Sequence, residues 1–438
     1  LRASAGEVMP EGHSLDGVKE LSSAWARCRK LDYLSVNAAG PFAVPPMTMP
    51  PAPMVNLAAE IKQVVDLPVF TAIRINNPAT AEQIIRNNEA DMVGMGRALI
   101  CDPDLPRKAR EGRVEDIRHC IACNEGCWHR FCRGEPITCV QNPEAGFEGR
   151  RMIKPAAEPK KVLIIGGGCA GMEAAVVAHQ RGHHAMLCEK TGELGGAIRM
   201  MAMAPNRQEF GQAVRFLKHE LERLLVEVHM HTDMTLDAVL KENPDAVVVA
   251  TGGLVITNPS ATKVGPKFAI EIAAGTHVLA AEDVLRRNGE AGQCVVVADC
   301  QDHLKGLLAA EILADQGKQV TVILSAPRKV FTSNPYRVEL ITHDLQLQRL
   351  KTKGVNLVRD QQVKKARPGW ITIRDVFTNA EQDLAADSLV LSYSRESNDA
   401  LYFRLKGKVS QLYRIGDALA PRLLMDAIHE GYRVATQI

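Results

Sequence analysis

Four cysteines near the middle of the chain have the residue type and the spacing of ligands to a metal cluster. Cys120, Cys123 and Cys127 lie close together and Cys139 follows, which gives the pattern C-x2-C-x3-C-x11-C. Four thiolates are the ligand set that a [4Fe–4S] cluster requires. The spacing therefore predicts an iron–sulfur cluster, and with it a chain that moves single electrons.

Two other uses of these cysteines fit the pattern less well. A zinc ion held by four thiolates is the main alternative, but zinc ribbons usually pair two C-x2-C knuckles, and here Cys139 stands alone. Disulfides are the other alternative, but 11 cysteines without a recognisable secretory signal favour a reducing compartment. We therefore expect a cytoplasmic location, and we interpret Cys132 as a spare thiol.

The composition narrows the classes of function. Lys+Arg 53 against Asp+Glu 51 leave a net charge of +2, which gives no electrostatic reason to expect a nucleic-acid partner. No apolar run is long enough for a membrane span. The length of 438 residues and the hydrophobic content of 46% indicate a globular chain of about two to four domains.

The elements ahead of the cysteines predict a parallel sheet, because residues 1–112 alternate short apolar strands with helical stretches. Strands are predicted over 1–4, 32–36, 68–75 and 91–95, and helices over 55–65 and 79–87. A complete (β/α)8 barrel takes about 250 residues, so this α/β part is predicted to be the C-terminal half of one. Gly96 and Arg97 follow its last strand, where such barrels bind phosphate; a tight turn with a surface arginine explains them equally well.

Behind the cysteine segment and linker, residues 113–158, the sequence predicts a Rossmann-like fold. An apolar strand runs into Gly166, Gly168 and Gly171, which form the pattern G-x-G-x-x-G, and a helix follows. These glycines permit a tight turn, a close approach of a pyrophosphate and close packing of helix on strand. The pattern in this context predicts a dinucleotide site.

Three further residues are candidates for the same site. Glu189 ends the next strand, where an acid binds a ribose hydroxyl in such folds, and Gly195 belongs to a second glycine turn. Asp417 ends a late strand ahead of a C-terminal helix. Its carboxylate is placed to bind the ribityl or phosphate region of a flavin, although by itself a helix cap is the simpler interpretation.

A second nucleotide-binding-like unit is predicted over 289–385, inserted into a domain made of 159–288 and 386–438. Its first strand and helix are joined by the turn 298–306, which lacks the first two glycines of a fingerprint. Asp299 and Asp302 stand there instead, and their side chains and charge oppose the approach of a pyrophosphate. We therefore predict that this unit keeps the fold without the NAD(P)H site.

Taken in this order, the motifs resemble the trimethylamine dehydrogenase / 2,4-dienoyl-CoA reductase family, whose barrel is of the Old Yellow Enzyme type. The resemblance implies FMN in the barrel, a [4Fe–4S] cluster, and FAD or ADP at the Rossmann-like site. It also implies that Arg2 contacts the FMN ring, that Gly96 and Arg97 hold the FMN phosphate, and that Asp417 binds the second nucleotide. The four cysteines match the cluster ligands, and Gly166, Gly168, Gly171 and Glu189 match the FAD or ADP site.

The chain departs from the family pattern in three places, and the third of these points to the amine-oxidising branch. Ile73 stands where the family usually has glycine, and the first four barrel strands are not recognised. The second fingerprint is lost, and the turn with Gly306 and Glu311 after it is most similar to the dimethylglycine and N-methylproline demethylases.

Three functions are consistent with these features. The first is oxidative demethylation or dehydrogenation of a small methylated amine, with electrons passed to an electron-transferring flavoprotein. The second is an NAD(P)H-dependent enoate or dienoyl-CoA reductase. The third is a relay or scaffold subunit, in an oligomer or complex with a chain that supplies the missing half-barrel.

Overall fold

A computed structural model describes residues 1–5, 12–38, 44–260, 264–265, 268–300, 304–325 and 340–438. These residues form two compact units, Leu1–Met152 and Ile153–Ile438. Asp302, one of the two aspartates of the predicted turn, lies outside the described residues. Among the residues described, no helix is both long enough and apolar enough to cross a membrane.

The first unit contains a parallel sheet in the order β1-β2-β3-β4, as the alternation of strands and helices predicts. Its strands are β1 Arg2–Ser4, β2 Leu34–Asn37, β3 Val69–Thr71 and β4 Met92–Val93. Its helices are α1 Leu15–Arg27, α2 Val55–Lys62, α3 Pro78–Arg86, α4 Gly96–Cys101, α5 Leu105–Arg110 and α6 Arg130–Cys132. Ser14 and Asn77 cap α1 and α3 by accepting backbone N–H bonds, so local sequence fixes where both helices begin.

The third strand is shorter than the predicted 68–75. Ile73 and Arg74 have left-handed backbone angles, φ +80° and +55°, so the chain leaves the extended conformation after Thr71. A β-branched residue with positive φ is a strained conformation that the surrounding structure has to hold. Periodicity alone does not reveal such a turn, because the residues 72–75 are themselves mostly apolar.

The second unit contains a parallel sheet in the order β20-β8-β5-β6-β7. Its strands are β5 Lys161–Ile165, β6 His184–Cys188, β7 Glu227–His229, β8 Ala246–Val249 and β20 Gln411–Arg414. Its helices are α7 Cys169–Gln180, α8 Gly196–Ala202, α9 Phe210–Arg223, α10 Leu236–Glu242, α15 Ala400–Leu405 and α16 Leu424–Gln437. Short strands β9 Gly253–Leu254 and β19 Glu396–Ser397 pair with each other.

A second parallel sheet, in the order β11-β18-β12-β13-β14, forms the inserted part. Its strands are β11 Val278–Ala280, β12 Cys294–Asp299, β13 Gln319–Leu324, β14 Asn356–Arg359 and β18 Ser388–Ser392. An adjoining sheet has the strands β10 Glu271–Ile272, β15 Gln361–Arg367, β16 Trp370–Asp375 and β17 Glu381–Ala385. The helices here are α12 Ala281–Arg286, α13 Leu304–Asp315 and α14 Leu340–Thr352.

The inserted sheet extends beyond the predicted range 289–385. The strands β11 and β18 lie outside that range, yet β18 pairs with β12 over five residues and β11 pairs with β18. All five residues of β18 are buried, so the sheet cannot be completed without it. Their positions in the sequence assigned these two strands to the predicted Rossmann-like domain of 159–288 and 386–438. Their hydrogen bonds place them in the sheet of the inserted part.

Glu311 anchors α13 to α14 inside this inserted part. Its carboxylate is fully buried and accepts bonds from Gln346 Nε2 at 2.7 Å and Arg349 Nε at 3.0 Å, with Lys353 Nζ at 3.2 Å. Burial opposes ionisation, but these donors outweigh it and hold the pKa of Glu311 below its ordinary value of 4.5. The ion pair therefore stabilises the fold fully above about pH 4.5, and this contribution is lost as the pH falls through the folded-state pKa.

Changing Glu311 to glutamine is expected to lower the free energy of unfolding by about 2–4 kcal/mol, because two cations lose their buried partner. Thermal unfolding at pH 7 measures this effect. Glu242→Gln is the control, since Glu242 pairs with Lys161 at a side-chain exposure of 38% and such surface pairs contribute about 0–1 kcal/mol. Equal changes in melting temperature for the two variants would contradict the anchoring role of Glu311.

Candidate functional site

The four predicted cluster cysteines line one pocket in the first unit. Cys120, Cys123, Cys127 and Cys139 all line this pocket, which is partly open to solvent. The remaining lining residues are Arg97, Ile100, Ile121, Asn124, Gly126, Thr138, Val140 and Gln141. The structure therefore brings together residues that are separated by up to 44 positions in sequence.

The local fold of the segment explains how three nearby cysteines face the same space. Ala122 and Asn124 have positive φ angles, +49° and +61°, which fold the chain back between the first ligands. Cys127 lies on a π-helical turn, Glu125–His129, which packs against the loop that carries Cys139. A Cβ on Gly126 would lie 2.8 Å from the carbonyl oxygen of Thr138, so only glycine permits this approach.

Backbone and side-chain hydrogen bonds tie the cysteine segment to the barrel part. Asn76 Nδ2 donates to the carbonyl of Cys120 at 2.6 Å, and His119 Nδ1 lies 3.1 Å from the carbonyl of Asn76. Gln141 Nε2 donates to the carbonyl of His119 at 2.7 Å. His119 thus positions the first cysteine, as its place beside that residue suggests.

Arg97 belongs to this pocket as well as to the predicted phosphate motif. Its Nη1 donates to the carbonyl of Pro45 at 2.9 Å and to Oδ1 of Asn124 at 2.5 Å, and Asn124 Nδ2 donates to the carbonyl of Val44. Gly96 begins α4, and a Cβ added there would meet no atom within 4 Å. Phosphate binding by Gly96 and Arg97 stays a prediction, as does the FMN contact of Arg2, which is exposed at the start of β1.

The pKa values of the four thiols are shifted in two directions. Burial raises the pKa of Cys120 to about 12, an effect that the nearby Arg97 opposes, and burial also raises the pKa values of Cys123 and Cys127. A hydrogen bond with Cys101 lowers the pKa of Cys139. Metal binding at these positions would therefore release protons, which is the usual behaviour of buried thiolate sites.

The donor set of the pocket fits a cluster of four irons. Among the described residues, no group of three or more His, Cys, Asp or Glu side chains is placed to hold a metal ion. Four cysteines in one pocket are the donor set of a [4Fe–4S] cluster, in which each iron takes one protein thiolate. The residues that would hold the cluster are Cys120, Cys123, Cys127 and Cys139.

The second unit places Gly166 and Gly168 between β5 and α7, and Gly171 in the first turn of α7. Gly166 has φ +113°, and a Cβ there would lie 2.3 Å from the carbonyl oxygen of Ala250. A Cβ on Gly171 would lie 2.0 Å from the carbonyl oxygen of Gly166, so both positions require glycine. Gly168 differs, because a Cβ there would meet nothing within 4 Å. The open space in front of Gly168 is where a pyrophosphate would lie.

Glu189 is nine-tenths buried beside this turn, with a side chain oriented by three donors. Its Oε2 accepts from the N–H of Gly167 at 2.7 Å, and its Oε1 accepts from the N–H and hydroxyl of Thr191, both at 2.8 Å. An ionised carboxylate has about four acceptor positions, so one is left for a ribose hydroxyl. The residues present fit an adenine nucleotide.

The other two candidates also lie at this turn. Gly195 has φ +112°, and its N–H donates to the carbonyl of Gly167 at 2.8 Å, so the second glycine turn packs on the first. The residue before Asp417, Gly416, approaches Ala170 in the first turn of α7, since a Cβ on Gly416 would lie 3.0 Å from the Cβ of Ala170. Burial raises the pKa of Asp417, against the influence of nearby arginines.

The corresponding turn of the inserted part is built differently. Asp299 ends β12 with an exposure of 1% and accepts a bond from the hydroxyl of Ser392 at 3.3 Å. Gly306, in the first turn of α13, packs directly on it, since a Cβ there would lie 3.0 Å from Cγ of Asp299. The inserted part thus keeps a close helix–strand contact, but it places a buried carboxyl group at the end of the strand.

Beside this carboxyl, Lys305 is held internally. Its Nζ donates to Glu282 and to the carbonyl of Tyr393, each at 2.6 Å, and Glu282 also lies 3.6 Å from Nε of Arg395. Glu282 has an exposure of only 1%. A cation at the start of α13 is therefore already paired within the protein.

Sequence reasoning missed three residues of the cysteine pocket. Cys101 accepts a bond from Nε2 of Gln141 at 3.4 Å, Asn124 joins Arg97 to the segment, and Gly126 lets the two cysteine loops meet. An asparagine or glycine between ligands is a weak signal for a left-handed turn. The position of Cys101 carries no signal, because the contact depends on residues far apart in sequence.

The two units match two different protein families. Residues 5–116 match the NADH:flavin oxidoreductase / NADH oxidase family, and residues 160–418 match the pyridine nucleotide-disulphide oxidoreductase family. A metal reductase of Desulforamulus reducens is 33% identical, over 99% of this chain and 68% of that protein. The chain belongs to the trimethylamine dehydrogenase-like family of flavin oxidoreductases.

Two further relatives of this oxidoreductase act on amines by name. An N,N-dimethylglycine/sarcosine dehydrogenase of Chromohalobacter salexigens is 29% identical, over 99% of this chain and 68% of that protein. A structure of histamine dehydrogenase from Rhizobium sp. 4-9 superposes with a TM-score of 0.90 at 26% identity, over 100% of this chain and 65% of that one. The chain thus spans about two thirds of the length of these relatives.

Proposed function

We propose that this flavin oxidoreductase oxidises a small methylated amine and passes the electrons to an external protein of the electron-transferring flavoprotein kind. The observation that carries the proposal is the buried Asp299 at the end of β12, in the place where a pyridine nucleotide needs a glycine turn. Two relatives named as amine dehydrogenases support the substrate class.

Two features of the inserted part oppose the binding of NAD(P)H. A carboxylate facing the helix start repels a pyrophosphate, and a pyrophosphate must come close to the backbone there. Lys305 offers no compensating charge, because Glu282 binds it at 2.6 Å in a buried pair. If Lys305 turned toward a pyrophosphate, the buried carboxylate of Glu282 would lose its closest cation. Leaving a buried charge without its partner costs free energy.

The cofactors that fit this function are FMN, a [4Fe–4S] cluster, and FAD or ADP. When bound, FMN supplies two-electron oxidation of the amine, and the cluster supplies single-electron transfer toward the acceptor. The chain supplies four thiol ligands, the cation of Arg97 beside them, and the turn at Gly168 with Glu189 for the nucleotide. The sheet β1–β4 is the part proposed to hold FMN, in an oligomer or with a chain that completes the barrel.

An NAD(P)H-dependent enoate or dienoyl-CoA reductase is the second candidate. It is favoured by the match of residues 160–418, including the inserted part, to the pyridine nucleotide-disulphide oxidoreductase family. The relative named as a metal reductase is also a reductase, although of another substrate. In such a reductase, electrons from NAD(P)H enter through the second unit. In the amine-oxidising enzyme, electrons from the amine enter at the barrel flavin and leave for a protein acceptor.

Anaerobic reduction of the flavin distinguishes the two candidates. In the native assembly, meaning the chain purified with any partner it retains, a methylated amine such as dimethylglycine is expected to bleach the flavin absorbance. NADH and NADPH are expected to do so at least about 100-fold more slowly, because a loss of about 2.8 kcal/mol in binding corresponds to that factor. Rapid bleaching by NADPH and none by a panel of methylated amines would favour the reductase.

A further inference from the structure

A buried carboxylate lies behind the turn that carries Asp417. Glu430, in α16, has an exposure of 6%, and its Oε2 accepts the N–H of Gly416 at 2.8 Å. Its Oε1 pairs with Nη2 of Arg422, and the more exposed Arg433 lies 3.8 Å from the same oxygen. A carboxylate buried to this extent is costly unless it is paired and hydrogen-bonded, and here it is both. Glu430 therefore binds two residues of the segment that joins β20 to α16.

Close packing of α16 on α7 brings this carboxylate to the nucleotide turn. A Cβ added to Gly431 would lie 2.4 Å from the carbonyl oxygen of Ala170, so the two helix backbones meet at the residue next to Glu430. Gly416 approaches Ala170 as well, since its Cβ would lie 3.0 Å from the Cβ of Ala170. The turn 416–417 thus lies against the first turn of α7, the helix that begins directly after Gly168.

The carboxylate of Asp417 is held on one side only. Its Oδ1 accepts the backbone N–H of Arg422 at 3.4 Å, whereas Oδ2 accepts no hydrogen bond from the described residues. Asp417 does not cap α16, because that helix begins at Leu424 and Asp426 accepts the N–H of Leu423 at 3.2 Å. The half-buried side chain of Asp417 therefore keeps acceptor positions for a ligand.

We propose that Glu430 is a positioning residue that holds the turn 416–417 and the side chain of Arg422, so that Asp417 binds the ribityl hydroxyls of FAD. This role depends on the FAD or ADP site of the proposed function. A carboxylate accepts hydrogen bonds from hydroxyls, and its charge repels phosphate, so Asp417 suits the sugar alcohol that follows the pyrophosphate in FAD. ADP lacks this part and is bound without Asp417.

The test measures the affinities of FAD and of ADP for the nucleotide-free native assembly by isothermal titration calorimetry. In Glu430→Gln the amide still accepts the N–H of Gly416, but the guanidinium of Arg422 loses its anionic partner and can pair with Asp417 instead. The affinity for FAD is expected to fall about tenfold, the size of one hydrogen bond to a charged group. The affinity for ADP is expected to stay unchanged.

A double variant shows whether Glu430 acts through Asp417. Asp417→Ala is expected to weaken FAD binding about tenfold as well, and to leave ADP binding unchanged. Adding Glu430→Gln to Asp417→Ala is expected to cause no further loss, because two residues that act on one contact are not additive.

Glu220→Gln is the matched control. Glu220 lies in α9 of the same unit with an exposure of 7%, and Nε and Nη2 of Arg223 donate to its carboxylate at 2.9 and 2.7 Å. This variant also removes a buried charge that is paired with an arginine, but it does not touch the turn 416–417. It is expected to leave the affinities for FAD and for ADP unchanged.

Four results would count against the positioning role. An unchanged FAD affinity in Glu430→Gln, or a further loss in the double variant, would reject it. Equal losses of FAD and ADP affinity would make Glu430 a residue of the fold alone. A wild-type protein that binds ADP but not FAD would also reject the role, yet leave the proposed function standing. A wild-type protein that binds neither would overturn the nucleotide site of the proposed function itself.

Discussion

Changing Cys123 to alanine is expected to lower the iron content of the native assembly from about four atoms per chain to near zero. Cys123 lies between the other ligands in the four-thiol pocket, and the left-handed residues on either side of it fix where its sulfur points. Without this ligand one iron has no thiolate, and the other described residues that line the pocket, apart from the three remaining cysteines, carry no sulfur. Iron and acid-labile sulfide analysis, with the visible absorbance of the cluster, measures the loss.

The matched control is Cys132→Ala, which removes a thiol from the same segment. Cys132 is exposed, lies in α6 and does not line the pocket. Its iron content is expected to equal that of the wild type. Equal iron in the Cys123 and Cys132 variants would contradict the assignment of the ligands, and zinc in place of iron in the wild type would contradict the kind of centre.

The second large effect is expected at Gly168, where valine should weaken adenine nucleotide binding by at least about 100-fold, or about 2.8 kcal/mol. The backbone of Gly168 has φ −72° and ψ 174°, an extended conformation that valine adopts readily. A Cβ at this position meets no protein atom within 4 Å, so the new side chain fills only the space proposed for the pyrophosphate. Binding of FAD and of ADP to the nucleotide-free protein measures the effect.

Two comparison variants separate binding from folding. Gly149→Val adds the same side chain at an exposed glycine that also has open space, and it is expected to change neither binding nor melting temperature. Gly171→Ala is expected to unfold the second unit, because its Cβ would overlap the carbonyl oxygen of Gly166 at 2.0 Å. Unchanged nucleotide affinity in Gly168→Val, with normal folding, would show that the nucleotide binds elsewhere.

Much of the fold could be predicted from sequence because its signals are local. The alternation in residues 1–112 predicts the parallel order of β1 to β4, and the strand–turn–helix around Gly166 and Gly171 predicts β5 and α7. Both depend on periodicity and on glycines that the backbone cannot replace. The four cysteines could be grouped for the same reason, since three of them fall within one short segment.

What could not be predicted depends on contacts between distant residues. The inserted sheet takes β11 and β18 from outside the predicted range 289–385, because strand pairing and not chain order decides membership. Ile73 ends β3 early through a positive φ that no apolar pattern reveals. The hydrogen bonds of Arg97 to Asn124 and of Gln141 to Cys101 form only when α4 packs beside the cysteine loops.

The proposed oxidation of an amine is tested most directly by finding which donor delivers electrons to the four-thiol centre. The native assembly is mixed anaerobically with dimethylglycine or another methylated amine, or with NADPH, then frozen and examined by electron paramagnetic resonance. We expect the signal of a reduced [4Fe–4S] cluster within the turnover time after the amine, no such signal after NADPH, and none in Cys123→Ala. A signal that develops with NADPH and not with any methylated amine would contradict it.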